Sequence, residues 1–338
     1  MKRILLIQLR QLGDILLTTP AIKAVKAAYP DSTLAFLTHP MGRMVLEGNP
    51  LLDELLVYDP KSFINEIKMV KRIRSRKFDL VVDFMNNPRS AFYTLLSKGQ
   101  VTCGFDSRRR FAYKKLVPRY TSPDYIVREK FTLLSAVGID GVDESLTLPW
   151  AVSDLAGVRA MVKHSGWKNS KMRVILAPTH RRERRRWPMA CFAQLADKLV
   201  QEWQASVLWI WGPGEEQYID SVMELCKQPS IKAPATRFRE MAALMAYSDL
   251  FVGNSNGPSH VAVSVDLPSL QLHGHTLARA WCPLNDHHQA IQAEGQARSG
   301  ASEMENISLK AVWSKLADME IYLRKRAAQL LENGDRMP

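Results

Sequence analysis

The chain is poor in cysteine, and the cysteines it has are not paired. Cys103, Cys191, Cys226 and Cys282 are scattered through 338 residues with no C-x-x-C. Neither a zinc site nor a disulfide framework is suggested, and the four read as reduced core thiols of a cytosolic protein. Long apolar runs are missing too. No stretch approaches the roughly 18 residues of a membrane-spanning helix. The opening MKRILLIQLRQLGD puts Arg10 and Asp14 where an export signal needs its apolar core. The expectation is a chain that neither spans a membrane nor is exported. Phosphate-loop glycines are also lacking: there is no G-x-x-x-x-G-K-[ST], and the first strand-to-helix turn, Arg10 to Asp14, holds only Gly13. That excludes a Walker ATPase and an ordinary NAD enzyme.

At 46% apolar and 24% charged residues the composition is globular rather than disordered. Forty-six basic against thirty-four acidic residues leave a net charge of +12, a field that favours anionic partners such as phosphates, nucleic acid or a lipid headgroup surface. Short apolar runs alternate with amphipathic stretches. Arg3–Leu9, Leu34–Leu37, Leu55–Tyr58, Leu80–Phe84 and Val101–Phe105 read as strands, with helices over Asp14–Ala28 and Phe63–Arg76. In the second helix Ile64, Ile67, Val70 and Ile73 mark the inner face, and Lys68, Lys71, Arg72, Arg74 and Arg76 a basic outer one. Alternation lapses over 139–170, placing a domain boundary there, between 165 and 166, and then restarts. Val174–Ala177, Ser206–Trp211, Leu250–Val252 and Pro268–Leu272 read as strands. Pro188–Trp203, Glu215–Lys227, Arg239–Tyr247 and Gly257–Val265 read as helices. The pattern predicts two successive doubly wound α/β halves of mostly parallel sheet. A charged amphipathic helix closes the chain over 307–331 and is expected to cross back to the first half.

Three places carry chemistry. Asp14 sits where the first strand gives way to a helix, the side on which α/β folds gather ligands; it reads equally as an N-cap or as a general base. Asn254-Ser255-Asn256-Gly257-Pro258-Ser259-His260 opens a helix after a strand. Its first-turn N–H groups suit a phosphate, although Ser, Asn, Gly and Pro also make an ordinary capped turn. Arg181-Arg182-Glu183-Arg184-Arg185-Arg186 follows the strand that opens the second half. It reads as a solvated loop, as a seat for nucleic acid phosphates, or as an anion clamp at the same sheet edge as the 254–260 turn. The histidines show no ligand spacing with acids or cysteines. The charge alone allows a nucleic-acid binder, but no zinc finger, RNA-recognition signature or aromatic array accompanies it.

Several segments line up in order: Leu12-Gly13-Asp14-Ile15-Leu16-Leu17-Thr18-Thr19-Pro20-Ala21-Ile22, Phe78–Asp83, Arg89-Ser90-Ala91, Gly104-Phe105-Asp106, Arg185-Arg186-Trp187-Pro188, and Gly253–Ala262. Over nearly the whole chain this order and spacing resembles the bacterial ADP-heptose:lipopolysaccharide heptosyltransferases, glycosyltransferase family nine. The opening most resembles the branch that adds a side heptose to the inner core. The resemblance implies a GT-B fold of two facing Rossmann-like domains: 1–165 for the acceptor, 166–306 for the nucleotide sugar, and a helix over 307–338 bracing the first.

The resemblance also implies inverting transfer from ADP-heptose to the lipopolysaccharide inner core, with Asp14 as the base and no metal or other cofactor. Gly13, Thr179, Arg185, Glu215, Ser255, Asn256, Gly257 and His260 are then donor contacts, Glu215 on the ribose. Arg10, Arg108, Arg109, Arg110, Lys114 and Lys115 are candidates for the acceptor or for peripheral contact with the anionic inner membrane, as is the 63–77 helix; the expected location is cytoplasmic, with no nucleic acid partner. Three departures stand out: Ser255 and Asn256 replace an aspartate followed by Ser or Thr, Arg185 replaces a lysine, and His275 replaces the proline of a G-P-T turn. A different nucleotide-sugar donor, or a lapsed enzyme that only binds nucleotide or glycolipid, are the alternatives these raise.

Overall fold

The computed structural model describes residues 2–59, 62–119, 124–154, 172–295 and 302–332, together with Ala156, Val158 and Trp167. The chain divides into two compact units, 1–149 and 150–338. The boundary expected between 165 and 166 lies outside the described residues.

In the first unit the order is β1 (Arg3–Ile7), α1 (Leu12–Leu16), α2 (Thr19–Ala28), β2 (Thr33–Thr38), α3 (Arg43–Leu46), β3 (Glu54–Val57), α4 (Phe63–Ser75), β4 (Leu80–Asp83), α5 (Pro88–Ser97), β5 (Val101–Phe105), β6 (Lys115–Val117) and α6 (Ile126–Ser135). All strand pairs are parallel, in the order β3-β2-β1-β4-β5-β6. Strands buried on both faces need side chains apolar at nearly every position, which is why Ile4, Leu5, Leu6 and Ile7 run without alternation and are fully buried.

The single helix expected over Asp14–Ala28 is two helices. Pro20, in the first turn of α2, has no N–H to continue an α-helical ladder. The carbonyls freed at the break are taken by hydroxyls: Thr18 Oγ1 donates to the Asp14 carbonyl and Thr19 Oγ1 to that of Leu16, each at 2.7 Å.

The second unit continues with β7 (Met172–Ala177), α7 (Met189–Trp203), β8 (Ala205–Trp209), α8 (Glu216–Glu224), β9 (Ile231–Lys232), α9 (Phe238–Ala246), β10 (Leu250–Asn254), α10 (Gly257–Ser264), β11 (Ser269–His273), α11 (Ala278–Trp281), β12 (His288–Gln292) and α12 (Leu309–Glu332). Its parallel sheet runs β12-β11-β10-β7-β8-β9. Val174, Leu176, Val252 and Leu270 pack with Phe192, Leu195 and Leu199 of α7 and with Val312, Leu316, Met319 and Leu323 of α12. The apolar face of the closing helix therefore belongs to the core of the second unit. Trp313 packs on Trp203 at 5.4 Å between ring centroids, and Arg326 donates to the Asp266 carbonyl at 2.9 Å. Both contacts fix the helix on the second sheet.

Candidate functional site

Each sheet reverses its winding at one place, between β1 and β4 in the first unit and between β7 and β10 in the second. Loops leaving the carboxyl ends of those strands diverge to opposite faces, and the opening between them is where doubly wound folds take ligands. In the first unit these loops are 8–11, which carries Arg10, and 84–87. Asp14 is the third residue of α1 and half-buried; its Oδ2 accepts the Gln11 N–H at 3.2 Å, and its Oδ1 makes no hydrogen bond among the described residues. Asp14 thus ties the start of α1 with one oxygen and presents the other. The N-cap position expected for Asp14 belongs to Gln11, and Asp14, at the third helical position, closes the capping box by accepting the Gln11 N–H.

Beneath that turn lies a residue that sequence reasoning missed. Lys130 of α6 is buried, and its Nζ donates to Gln8 Oε1 at 3.4 Å and sits 5.7 Å over the Phe84 ring. Gln8, itself buried, donates from Nε2 to the Arg10 carbonyl, so the lysine, the glutamine and the Asp14 turn are linked. Burial draws the Lys130 pKa below the usual lysine range, while the Asp14 and Glu129 carboxylates oppose that shift. Asp83, at the end of β4, is wholly buried and accepts the Tyr113 hydroxyl at 2.7 Å and the Met85 and Asn86 N–H groups at 2.9 and 3.0 Å. Burial raises its pKa, and those donors oppose the rise. Gly104 allows this arrangement, because a Cβ there would lie 2.4 Å from the Tyr113 ring.

The first unit's expected cations separate into two groups. Arg10 is exposed, and together with Arg89 it adds to burial in holding the His39 pKa below its ordinary value. Arg109 donates to the Asn86 carbonyl at 3.2 Å, and the exposed Arg108 and Arg110 flank it just past β5, Arg110 lying 3.8 Å from Asp106. These four lie at the ligand edge. Lys114 instead donates to the Gly99 and Gln100 carbonyls that precede β5, and Lys115 to the Ala136 carbonyl after α6. Both are directed to the opposite edge of the sheet, because β6 is a strand there and the sequence reading had none.

In the second unit the residues after β7 and β10 are laced together by amides. Asn254, fully buried, accepts the Trp187 N–H at 3.0 Å and donates to the Pro178 carbonyl at 2.8 Å. Asn256 caps α10 through the Ser259 N–H and donates from Nδ2 to the Thr179 carbonyl at 2.9 Å. The arginine loop is thereby closed at both ends, and its members differ. Arg186 donates to the His180 carbonyl at 2.8 Å and stacks 4.6 Å over Tyr218. Arg185 is half-buried with no carboxylate partner among the described residues; burial and the neighbouring Arg182 and Arg181 depress its pKa. A cation held among cations is set for an anion that the protein does not supply.

A Cβ on Gly257 would meet nothing within 4 Å, so α10 opens onto free space at its first residue. Ser255 is half-buried with no side-chain hydrogen bond among the described residues. Glu215, after β8, uses Oε2 to accept the Gly212 N–H at 3.0 Å. His260 is buried beneath the turn; burial lowers its pKa to about 4, so the ring is neutral near pH 7. It lies 6.1 Å from the Trp281 ring.

The family model for glycosyltransferase family 9 (heptosyltransferase) matches residues 67–310, well over half of the chain. The chain belongs to glycosyltransferase family 9. It is 26% identical over 291 residues to lipopolysaccharide heptosyltransferase 3 of Escherichia coli, a match covering 81% of this chain and 84% of that one. Among solved structures, a family 9 glycosyltransferase from Veillonella parvula superposes with a TM-score of 0.83 at 21% identity, over 96% of this chain and 97% of that one. The Escherichia coli heptosyltransferase WaaC with ADP gives 0.73 at 17% identity, over 94% and 99%. Both units are thus those of the GT-B fold, and the protein is a glycosyltransferase.

Within family 9 the departure at 255–256 acquires a local meaning. Asn256 both caps α10 and donates an amide hydrogen to the β7 loop, a double use that a serine or threonine hydroxyl at that position is too short to reproduce. The Asp83–Tyr113 pair, Lys130 and Gln8 carry only a faint sequence signal: polar residues at or next to an apolar run, where a buried polar group must find a partner.

Proposed function

We propose that this family 9 enzyme transfers heptose from ADP-heptose to the lipopolysaccharide inner core with inversion, without a divalent cation, and with Asp14 as general base. The second unit takes the nucleotide sugar and the first the acceptor. The observation that carries the reading is Arg185, a half-buried guanidinium without a carboxylate partner among the described residues, in the loop that Asn256 ties to the first turn of α10, open at Gly257. A leaving diphosphate gathers negative charge as the sugar departs. A preset guanidinium and helix-terminal N–H groups stabilise that charge without reorganising, so no metal is required of the protein.

On the acceptor side Asp14 Oδ1 takes the hydroxyl proton as the oxygen attacks the anomeric carbon. Lys130 lies buried beside the Asp14 turn and is joined to it through Gln8. One displacement at one carbon, with one base, inverts the anomer. The exposed arginines at the first sheet edge and the +12 net charge suit an acceptor rich in phosphates and acidic sugars, presented at an anionic leaflet; on this reading the enzyme works peripherally on the cytoplasmic face of the inner membrane.

Asp14→Asn tests the base directly. Transfer from ADP-heptose should fall by about three orders of magnitude or more, while thermal stabilisation by ADP-heptose stays near that of the parent. An active variant removes Asp14 from the mechanism. Excess EDTA should leave transfer unchanged.

Ser255 favours a second reading, a different donor or a chain that only binds, because the hydroxyl lacks the charge of the family's aspartate. Thermal shifts with ADP-heptose, other nucleotide sugars and ADP alone decide the donor. Turnover that appears only in Ser255→Asp would identify a lapsed enzyme.

A further inference from the structure

Of the four residues that mark the inner face of α4 in the sequence, Val70 and Ile73 turn inward and Ile64 and Ile67 do not. Glu66, Met69, Val70 and Ile73 turn toward the sheet, with Met69 and Ile73 in the core beside Leu56, Tyr58 and Tyr93. At 100° per residue, Phe63, Ile64, Ile67, Lys68, Lys71 and Arg74 share the opposite side. Phe63 is 78% exposed and Ile64 63%.

The neighbouring elements continue this surface. Arg89 at the start of α5 pairs with Glu66 of α4 at 3.2 Å, and Ala91 of α5 packs with Ala112 of the short turn Arg110–Ala112 and with Tyr113 just after it. The helix α5 therefore lies between α4 and that turn. Its own outward residues include Phe92 and Leu95, and the turn presents Phe111 at 68% exposure. Six large apolar side chains thus stand in solvent on three adjacent elements of one unit. Single exposed apolar residues are ordinary, but a contiguous set marks a contact surface.

The charges beside it select the occupant. Arg72 and Arg76 are neutralised by Glu54, whereas Lys68, Lys71 and Arg74 have no carboxylate partner among the described residues. Arg108 is likewise unpaired.

We propose that the α4–α5–110–112 face seats the protein on an anionic bilayer, with Phe63, Ile64, Ile67, Phe92, Leu95 and Phe111 entering the headgroup layer and the unpaired basic residues meeting lipid phosphates. Aromatic and aliphatic side chains interleaved with lysine and arginine are what an interfacial surface requires: apolar burial supplies adhesion and the cations supply selectivity for charge. The inference deepens the proposed function, in which the acceptor is a lipid, by naming the face that meets that lipid's membrane. It does not need the transfer step to hold.

The test is co-sedimentation of the full chain with phosphatidylcholine vesicles, with or without ~30% phosphatidylglycerol. Binding is expected only with the anionic lipid. Phe63→Ser/Ile64→Ser/Phe111→Ser should lower partitioning about tenfold or more, and Lys68→Gln/Lys71→Gln/Arg74→Gln comparably at low salt. All six positions are exposed, so melting temperatures should match the parent. In Ile64→Trp, anionic vesicles should shift the new tryptophan's emission to the blue.

Equal binding to neutral vesicles, loss only in the charge variant, or no vesicle binding at all would overturn the proposal. So would concentration-dependent self-association abolished by the serine variant, which would assign the face to a second copy. Vesicle binding without heptosyl transfer sinks the proposed function alone. Transfer to a deacylated acceptor without vesicle binding sinks this inference alone.

Discussion

Asn254 is the residue whose loss should do most to separate the fold of the second unit from its ligand edge. Its side chain is fully buried and makes two hydrogen bonds, one accepted from the Trp187 N–H and one donated to the Pro178 carbonyl. These fix both ends of the loop that carries Arg185. Asn254→Ala leaves a buried N–H and a buried carbonyl without partners, each at a cost of about 1–2 kcal/mol, so the expected destabilisation is about 2–4 kcal/mol. For a unit of this size that corresponds to a fall of about 5–15 °C in melting temperature. Asn254→Asp keeps the acceptor for Trp187 but faces a carboxylate to the Pro178 carbonyl, and should be destabilised at least as much. Scanning calorimetry with and without ADP measures both consequences: the lower melting temperature, and a smaller ADP-induced shift because the arginine loop is no longer held. Melting within about 2 °C of the parent, with an unchanged ADP shift, would show that other contacts hold the loop and would refute the argument.

Other outcomes follow from the same geometry. Arg185→Gln should weaken ADP binding about tenfold or more with the melting temperature unchanged, whereas Arg186→Gln should lower the melting temperature by losing its carbonyl bond and Tyr218 stacking; titration calorimetry and thermal melts distinguish them. Gly253→Ala should destabilise by about 1–3 kcal/mol, because its Cβ would lie 2.8 Å from that of Ala177, while Gly257→Ala should fold normally and lose ADP affinity. Burial lowers His260, His273 and His288 to a pKa of about 4, from 6.5 when unfolded. The unfolded chain therefore binds more protons between those values. The stability these rings contribute is complete above pH 6.5 and is lost as pH falls toward 4, which urea midpoints at stepped pH will follow; a flat profile across that window would contradict their burial as neutral rings.

The doubly wound plan was legible because strands buried on both faces leave continuous apolar runs, and their alternation with amphipathic stretches admits few topologies. Asp14 and the 254–260 turn were legible for a related reason: each follows a strand and opens a helix, so chain order alone assigns them to the ligand edge of a sheet. The helices α5 and α6 were not assigned. The Phe92 and Leu95 side chains of α5 face solvent, which blurs its stripe, and α6 buries Lys130 among Val127, Phe131 and Leu134.

Sequence by itself determined the fold class, the family and the strand-end positions of Asp14 and the 254–260 turn, all of which are written in local pattern and order. Only the tertiary structure decided which charges are committed. It gave Lys114, Lys115 and Arg186 to backbone carbonyls while leaving Arg185 free of any carboxylate among the described residues, and it turned Ile64 outward and Lys130 inward. The closing helix it seated on the second unit. A side chain's neighbours across the sheet come from residues distant in sequence, and hydrogen-bond reach and burial depend on those neighbours rather than on the residue's own type.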